Sequence, residues 1–160
     1  MLLAVFSDSH GNSKNMIAAV GREKPDAAVF LGDGVADAAK LMRAYPALPV
    51  RVLRGNCDYD AHDVDESAVL EYDGVRIFAA HGHNHGVKYG MGSFATSVLC
   101  SGAKLGLFGH THRPGWNESN GLQFLNPGSI GNRQFPTYGL IEISGGEFFC
   151  KIKDFSEEDK

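Results

Sequence analysis

Five apolar runs in the sequence, AVFSD, VFLGD, VLRGN, IFAAH and LFGH, each end on a side chain able to ligate a metal ion: Asp8, Asp33, Asn56, His81 and His110. His10 and His112 stand two residues beyond the first and the last of these, which keeps each pair on one side of an extended backbone. Seven donors are too many for one tetrahedral ion and suit two ions that share a carboxylate, with Asp33 as the candidate bridge. The set combines carboxylate, amide oxygen and imidazole without a thiolate. That suits Mn²⁺, Fe²⁺, Zn²⁺ or Ni²⁺ and is too rich in nitrogen for a Ca²⁺ or Mg²⁺ cage. Two divalent ions bring four positive charges against the two negative charges of Asp8 and Asp33, so the site would be electropositive and would draw phosphate esters. A water shared by ions ~3.5–4 Å apart would be acidified to a hydroxide aimed in line at phosphorus, while the ions hold the non-bridging oxygens.

Each fragment taken alone has a plainer explanation. Asp33 could N-cap the helix that follows it, and Gly55–Asn56 is ordinary turn chemistry. His81 and His110 could be half-buried histidines satisfied by the fold. Two histidines at i and i+2 after an apolar strand, as in GHTH at 109–112, rarely serve packing. The plain account also needs five independent coincidences at five strand ends, and the joint pattern therefore reads as a metal site.

The elements that must position these residues follow from hydrophobic periodicity. Strands are predicted at Leu2–Phe6, Ala27–Leu31 and Val50–Leu53, with helices at Ser13–Glu23 and Val35–Ala44 between them. This βαβαβ run predicts a parallel sheet, whose functional crevice lies outside the carboxyl ends of the strands. In the second half, Ser67–Tyr72 and Val75–Ala80 flank Asp73–Gly74, a hairpin signal. A helix over Tyr89–Leu99 and strands at Leu105–Phe108, Gly121–Leu125, Tyr138–Ile143 and Glu147–Lys153 follow, the strand-rich run reading as an antiparallel meander. Two sheets packed face to face with helices outside is the expected architecture. A single domain over 1–154 is expected, with the polar tail FSEEDK at 155–160 solvated.

Composition bounds the classes of function. With 160 residues, 43% hydrophobic and 21% charged, the chain can bury one sizeable core. The first apolar run is too short for a signal-peptide core and lacks a basic flank, and no window approaches a membrane span. Three cysteines far apart, Cys57, Cys100 and Cys150, fit free thiols in a reducing compartment, so the cytoplasm is the expected location. A net charge of −4 argues against nucleic acid as the main partner and leaves a small anionic substrate open.

The order D-x-H, GD, GN-x-D, HGH and GHTH, here at Asp8/His10, Gly32–Asp33, Gly55–Asp58, His81–His83 and Gly109–His112, resembles the calcineurin-like metallophosphoesterase superfamily. With SDSHGN, GNCD, the later NPGS and the short length, the chain is most similar to the small bacterial and archaeal phosphodiesterase subgroup called YfcE-like. The resemblance implies a four-layer αββα sandwich of two mixed sheets, an α/β (α+β) fold, and a dinuclear centre usually activated by Mn²⁺. One ion would take Asp8, His10, Asp33 and His112, and the other Asp33, Asn56, His81 and His110. It also implies that His83 lies beside the metals and contacts phosphate. The same superfamily includes a retromer subunit that keeps the fold for protein assembly, so a catalytically weak or inactive scaffold is the alternative. A nuclease or dinucleoside polyphosphate hydrolase is a further one.

Many members of the superfamily carry GNH[DE], whereas Cys57 occupies the position of that histidine here. In those members the histidine orients substrate and protonates the leaving oxygen, for which a thiol is a poor geometric substitute. Asp58 is expected to stabilise the loop carrying Asn56. Asn12 is expected to contact phosphate or cap the helix at Ser13, and His85 to lie at the surface or behind the ligands. Arg54, Lys88, Arg113 and Arg133 are candidate anion contacts. NPGS is expected to make a turn supporting the site. Trp116 and Phe135 are candidates for a homo-oligomeric interface if exposed. Cys57→Ala is expected to retain hydrolysis of esters with good leaving groups; steady-state kinetics showing a large, selective loss of turnover would overturn this.

Overall fold

The structure is a computed structural model in which residues 1–156 are described, and residues 157–160 of the expected polar tail lie outside the described residues. The elements run β1 (Leu2–Phe6), α1 (Lys14–Glu23), β2 (Ala27–Phe30), α2 (Val35–Ala44), β3 (Val50–Val52), β4 (Ser67–Tyr72) and β5 (Val75–Ala80). A 3₁₀ turn (His83–His85) leads to α3 (Gly92–Cys100), β6 (Leu105–Leu107), β7 (Gly115–Ser119), β8 (Leu122–Asn126), β9 (Thr137–Ser144) and β10 (Glu147–Asp154).

The strands form two five-stranded sheets, ordered β10-β9-β1-β2-β3 and β4-β5-β6-β8-β7. In the first, β1, β2 and β3 are parallel, as the βαβαβ run predicts, with Leu3 opposite Ala27 and Ala28 opposite Val50. The chain returns at its far end to add β9 antiparallel beside β1, and β10 antiparallel beside β9. The predicted meander is corrected in the second sheet. There β6 and β8 are parallel, because β7 lies between them in the chain and pairs antiparallel with β8 at the edge, while α3 serves as the crossover that makes β5 and β6 parallel. The edge strand β7 escaped the sequence reading: all five residues of GWNES are exposed, so no apolar alternation marks it. The helix expected over Tyr89–Leu99 starts later, at Gly92, after a glycine-punctuated turn that leaves Tyr89 exposed.

The apolar runs that read as strands are buried on both faces, which explains their near-continuous hydrophobicity. Leu3, Val5, Val29 and Leu31 of the first sheet meet Ile77, Ala79, Leu105 and Leu107 of the second in the layer between the sheets. The alternate residues Ala4, Phe6, Ala28 and Phe30 face outward onto Met16, Ala19 and Val20 of α1 and Ala38 and Leu41 of α2. On the far side Phe78, Ala80 and Phe124 pack under Phe94 and Val98 of α3. Phe155, assigned by sequence to the solvated tail, joins the second of these clusters at 4% exposure, its N–H donating to Pro136 O at 2.8 Å. Trp116 and Phe135 stand exposed.

The α3 layer hangs on one ring. Phe94 is fully buried, 5.6 Å from the Phe78 centroid and 5.3 Å from that of Phe108. Phe94→Ala is expected to lower stability by about 3–5 kcal/mol, read as a shift in the urea-unfolding midpoint at an unchanged slope.

Candidate metal centre

β1, β2 and β3 of the first sheet and β5 and β6 of the second end at one rim, and the loops leaving them are laced together. The N–H of Asp8 donates to Gly32 O at 2.9 Å, that of His10 to Asp33 O at 3.1 Å, and that of Gly109 to His81 O at 3.0 Å. Asp8, Asp33 and His81 are buried beneath this lacing, while His10 and His112 stand at its mouth. Six of the seven candidate ligands converge. His112 Nε2 lies 3.1 Å from Asp8 Oδ1, His10 Nε2 3.2 Å from His112 Nε2, and His81 Nε2 3.3 Å from Asp33 Oδ2 and 3.8 Å from Asp8 Oδ1.

Donor atoms of Asp8, His10 and His112 lie within 4.8 Å of one another, as do those of Asp33, His81 and His110. A third such group joins His10 and Asp33 to Cys57. Donors at ~2.0–2.3 Å from an ion lie at most roughly 4.6 Å apart, so these spacings suit metal coordination. Asn56 stands beside these groups, in the loop that meets Asp33. Its side chain is exposed and its amide donates to Cys57 Sγ at 3.4 Å, while the neighbouring Cys57 N–H donates to Asp33 Oδ1 at 2.8 Å.

Two buried atoms test whether these residues fit a cation. Asp8 Oδ2 accepts from Ser7 Oγ at 2.5 Å and from the His110 N–H at 3.1 Å, whereas Asp8 Oδ1 accepts no aligned hydrogen bond although His112 Nε2 lies 3.1 Å from it. His81 Nδ1 lies 2.9 Å from Leu31 O and must carry a proton to donate to it, so Nε2 of the neutral ring offers a lone pair; that atom is likewise unpartnered. A carboxylate oxygen and an imidazole lone pair aimed at one point repel unless a proton or a cation lies between them. The donor set fits a divalent cation on both counts.

The ionisation of the cluster reflects the same crowding. Burial disfavours charge on Asp33, yet the His81 imidazole and the Cys57 N–H hold its carboxyl well below the usual carboxylate range. Burial pushes His81 down, but the nearby carboxylates of Asp33 and Asp8 raise it above its ordinary value. The Asp8 carboxylate beside it also raises His112. Burial and the adjacent His81 depress His110 to about 4 and also lower His83.

The backbone is strained where the candidate ligands sit. Asp8, His10, Asp33, His110 and His112 have φ of 55°, 43°, 60°, 66° and 57°. Side chains rarely adopt this left-handed region, and the other non-glycine examples among the described residues are Lys24 after α1 and the turn residues Asp73 and Asn120. The extended D-x-H backbone expected from sequence is therefore corrected: tight turns, not alternation, aim each pair. The glycines before Asn56 and His110 have a steric reason. A Cβ on Gly55 would fall 2.1 Å from Asp33 Oδ1, and one on Gly109 2.0 Å from Ser7 Oγ.

Supporting residues hold these turns. Asp58 accepts four backbone N–H groups, those of Asp33 and Gly55 on Oδ2 and those of Gly34 and Val35 on Oδ1, all at 2.7–2.9 Å. It thereby caps α2, the task that the local sequence offers to Asp33. Asp37, which the sequence reading missed, is buried in the first turn of α2 and accepts Ser9 Oγ at 2.7 Å and the Gly11 N–H at 2.8 Å. Its burial was its only signal, and no motif carries that. In NPGS, Asn126 donates to Gly109 O and Thr111 Oγ1, and Ser129 donates to Asp8 O, so the turn supports the site as expected.

The remaining candidates divide. His83 stands 5.4 Å from the His81 ring and 6.2 Å from that of His110. His85 instead packs edge-on against Phe78 and Phe94, 3.1 Å from Ser97 Oγ, in a packing role. Asn12 does not cap α1, whose N-cap Ser13 makes no side-chain capping bond. Arg54 is paired to Glu66 at 2.7 Å.

A fold of two mixed sheets with a cluster of His and Asp side chains that could hold a metal at their shared rim is that of a metallophosphoesterase scaffold. Residues 1–146 match the calcineurin-like phosphoesterase superfamily domain, and the chain belongs to that superfamily. It is 33% identical over 133 residues to the probable metallophosphoesterase YsnB of Bacillus subtilis, covering 81% of this chain and 75% of that protein. A predicted phosphoesterase from Streptococcus pneumoniae has a TM-score of 0.79 at 28% identity over 96% of this chain and 88% of its own. Wild-type Vps29 of Entamoeba histolytica, solved with zinc, has a TM-score of 0.74 at 22% identity over 98% of this chain and 100% of its own. Among the described residues no helix is long and apolar enough to cross a membrane.

Removing the Asp58 carboxylate would strand N–H groups beside Asp33. Asp58→Ala is expected to destabilise the protein by at least ~2 kcal/mol and to weaken Mn²⁺ binding in calorimetry, with Asp58→Asn recovering part of both.

Proposed function

We propose that this chain is a metal-dependent phosphodiesterase acting on small phosphate esters, with Asp33 shared between two divalent ions. Asp8, His10 and His112 serve one ion and Asn56, His81 and His110 the other. The observation that carries this reading is the meeting of Asp8 Oδ1 and His81 Nε2, both buried and without a hydrogen bond, beside Asp33. Buried polar atoms left unpaired cost free energy, and a divalent ion satisfies a carboxylate oxygen and an imidazole lone pair together. When bound, such ions supply Lewis acidity that polarises phosphate and acidifies water. Mn²⁺ is the proposed metal, with Zn²⁺, Fe²⁺ and Ni²⁺ compatible with the same donors. The free thiols are in keeping with a cytoplasmic setting.

The chain's own residues set the substrate's position and limits. Ionised Asp33 keeps negative charge at the rim whenever the pH is near neutral. His83, neutral because burial and His81 depress it, stands 5.4 Å from the His81 ring and is proposed to contact a phosphate oxygen. Asn12 is proposed to contact the same phosphate. Burial and Asp33 raise the pKa of the Cys57 thiol, which makes it a weak acid for protonating a departing alkoxide. Aryl esters, whose leaving groups need no proton, would therefore react fastest.

The test is hydrolysis of bis(p-nitrophenyl) phosphate by chelator-stripped protein with Mn²⁺ restored. Metal-dependent turnover is expected, and Asp33→Asn is expected to reduce it more than ~100-fold, beyond the loss typical of residues behind the ligands. Absence of turnover with Mn²⁺, Zn²⁺, Fe²⁺ and Ni²⁺ would overturn the reading in favour of a scaffold.

A further inference from the structure

Beside the metal-binding rim lies a recess of about 420 Å³ lined by Val87, Lys88, Met91, Phe108, Thr111 and Arg113. It begins where the candidate ligands end. Thr111 sits between His110 and His112, Arg113 follows His112, and the charge of Lys88 reaches both imidazoles, pushing each down.

Three features of this recess point to an anion. Lys88 and Arg113 are exposed, and neither side chain forms an ion pair among the described residues, whereas Arg51, Arg54, Arg76 and Lys151 are each paired with an acid. No acidic residue lines the recess, so its two charges are uncompensated on a chain of net charge −4. The recess on the Asn12 side of the rim differs, with Arg133 accompanied by Asp154. The third feature is the Thr111 hydroxyl. Its oxygen accepts from Asn126 Nδ2 at 2.9 Å and from the Arg113 N–H at 3.2 Å, which uses both lone pairs and leaves its own hydrogen to donate. An arginine fork, an ammonium and a free hydroxyl together match the several oxygens of a phosphate group. Val87, Met91 and Phe108 give the recess an apolar wall, over which the carbon skeleton joining two phosphates would run.

We infer that this recess binds a second phosphate group of the substrate, so that the preferred substrates are phosphodiesters carrying an additional phosphate monoester on the same organic skeleton. The inference rests on the phosphodiesterase reading of the adjoining site. A phosphate monoester brings roughly −1.5 to −2 charges at neutral pH, which would balance Lys88 and Arg113.

Two probe pairs test it. The first compares thymidine 5′-(p-nitrophenyl phosphate) with its 3′-phosphorylated counterpart, which share the leaving group and the reacting phosphorus. With Mn²⁺-loaded protein the 3′-phosphate is expected to raise kcat/KM at least about tenfold, a gain that shrinks with added salt, and K88E/R113E is expected to abolish the preference. The second needs no turnover. Calorimetry should show thymidine 3′,5′-bisphosphate binding at least about tenfold more tightly than the 5′-monophosphate, as expected for charge-assisted pairing, again only with both cations present. Equal binding of the two nucleotides to the unaltered protein, or a preference that survives K88E/R113E, would overturn the inference. A binding preference without any hydrolysis would uphold the recess and refute the catalytic reading instead.

Discussion

The imidazole of His81 sits at the junction of the two sheets and commits both of its nitrogens. Nδ1 donates to the carbonyl of Leu31, the residue that follows β2 of the opposite sheet, and that bond leaves Nε2 facing Asp33 and Asp8. A neutral ring held in this tautomer presents a lone pair to two buried carboxylates. Burying negative charge without a counter-charge is among the costliest arrangements in a protein interior, so the cluster is stable only with a proton or a cation at its centre. The rest of the rim is built around this crowding.

Tight packing at the rim explains the backbone there. The ligand turns enter the left-handed region at five non-glycine positions and bring glycines so close to carboxylates and hydroxyls that no Cβ fits at Gly55 or Gly109. Strain of this kind persists only where surrounding bonds over-determine it. Asp58 with its four N–H donors, Asp37 under the 9–11 turn, and Asn126 and Ser129 from the NPGS turn supply those bonds. Site and fold are therefore mutually dependent: these side chains are spent on holding loops, and the loops have no other function visible in the packing.

The likeness to a predicted phosphoesterase and to Vps29 is a likeness of fold, and a fold by itself does not decide activity. What distinguishes one chain from another is the chemistry of the rim and of the recesses beside it. Here the rim keeps its carboxylates and imidazoles together, and one neighbouring recess carries two unpaired cations.

The sequence by itself determined the strand ends and the side chains they carry. Most of the apolar runs are buried on two faces and so read plainly, and each is short enough that its terminating Asp, Asn or His marks the edge. It also determined the parallel βαβαβ half, because helical and strand periods alternate there without ambiguity. Tertiary structure decided the rest. Nothing local tells β5, α3 and β6 to form a crossover or β9 to return beside β1, since those pairings join residues far apart in the chain. The polar edge strand β7 gains its form from β8 alone. Phe155 looked like part of a solvated tail until a core cluster was there to receive it. The same holds for roles within the site. D-x-H fixed the donors but not the left-handed turns that aim them, and Asp58 rather than Asp33 caps α2. His85 belongs to the α3 core although its spacing matches His81 and His83. Such assignments depend on which groups meet across the two sheets, a property of packing that spacing along one chain cannot carry.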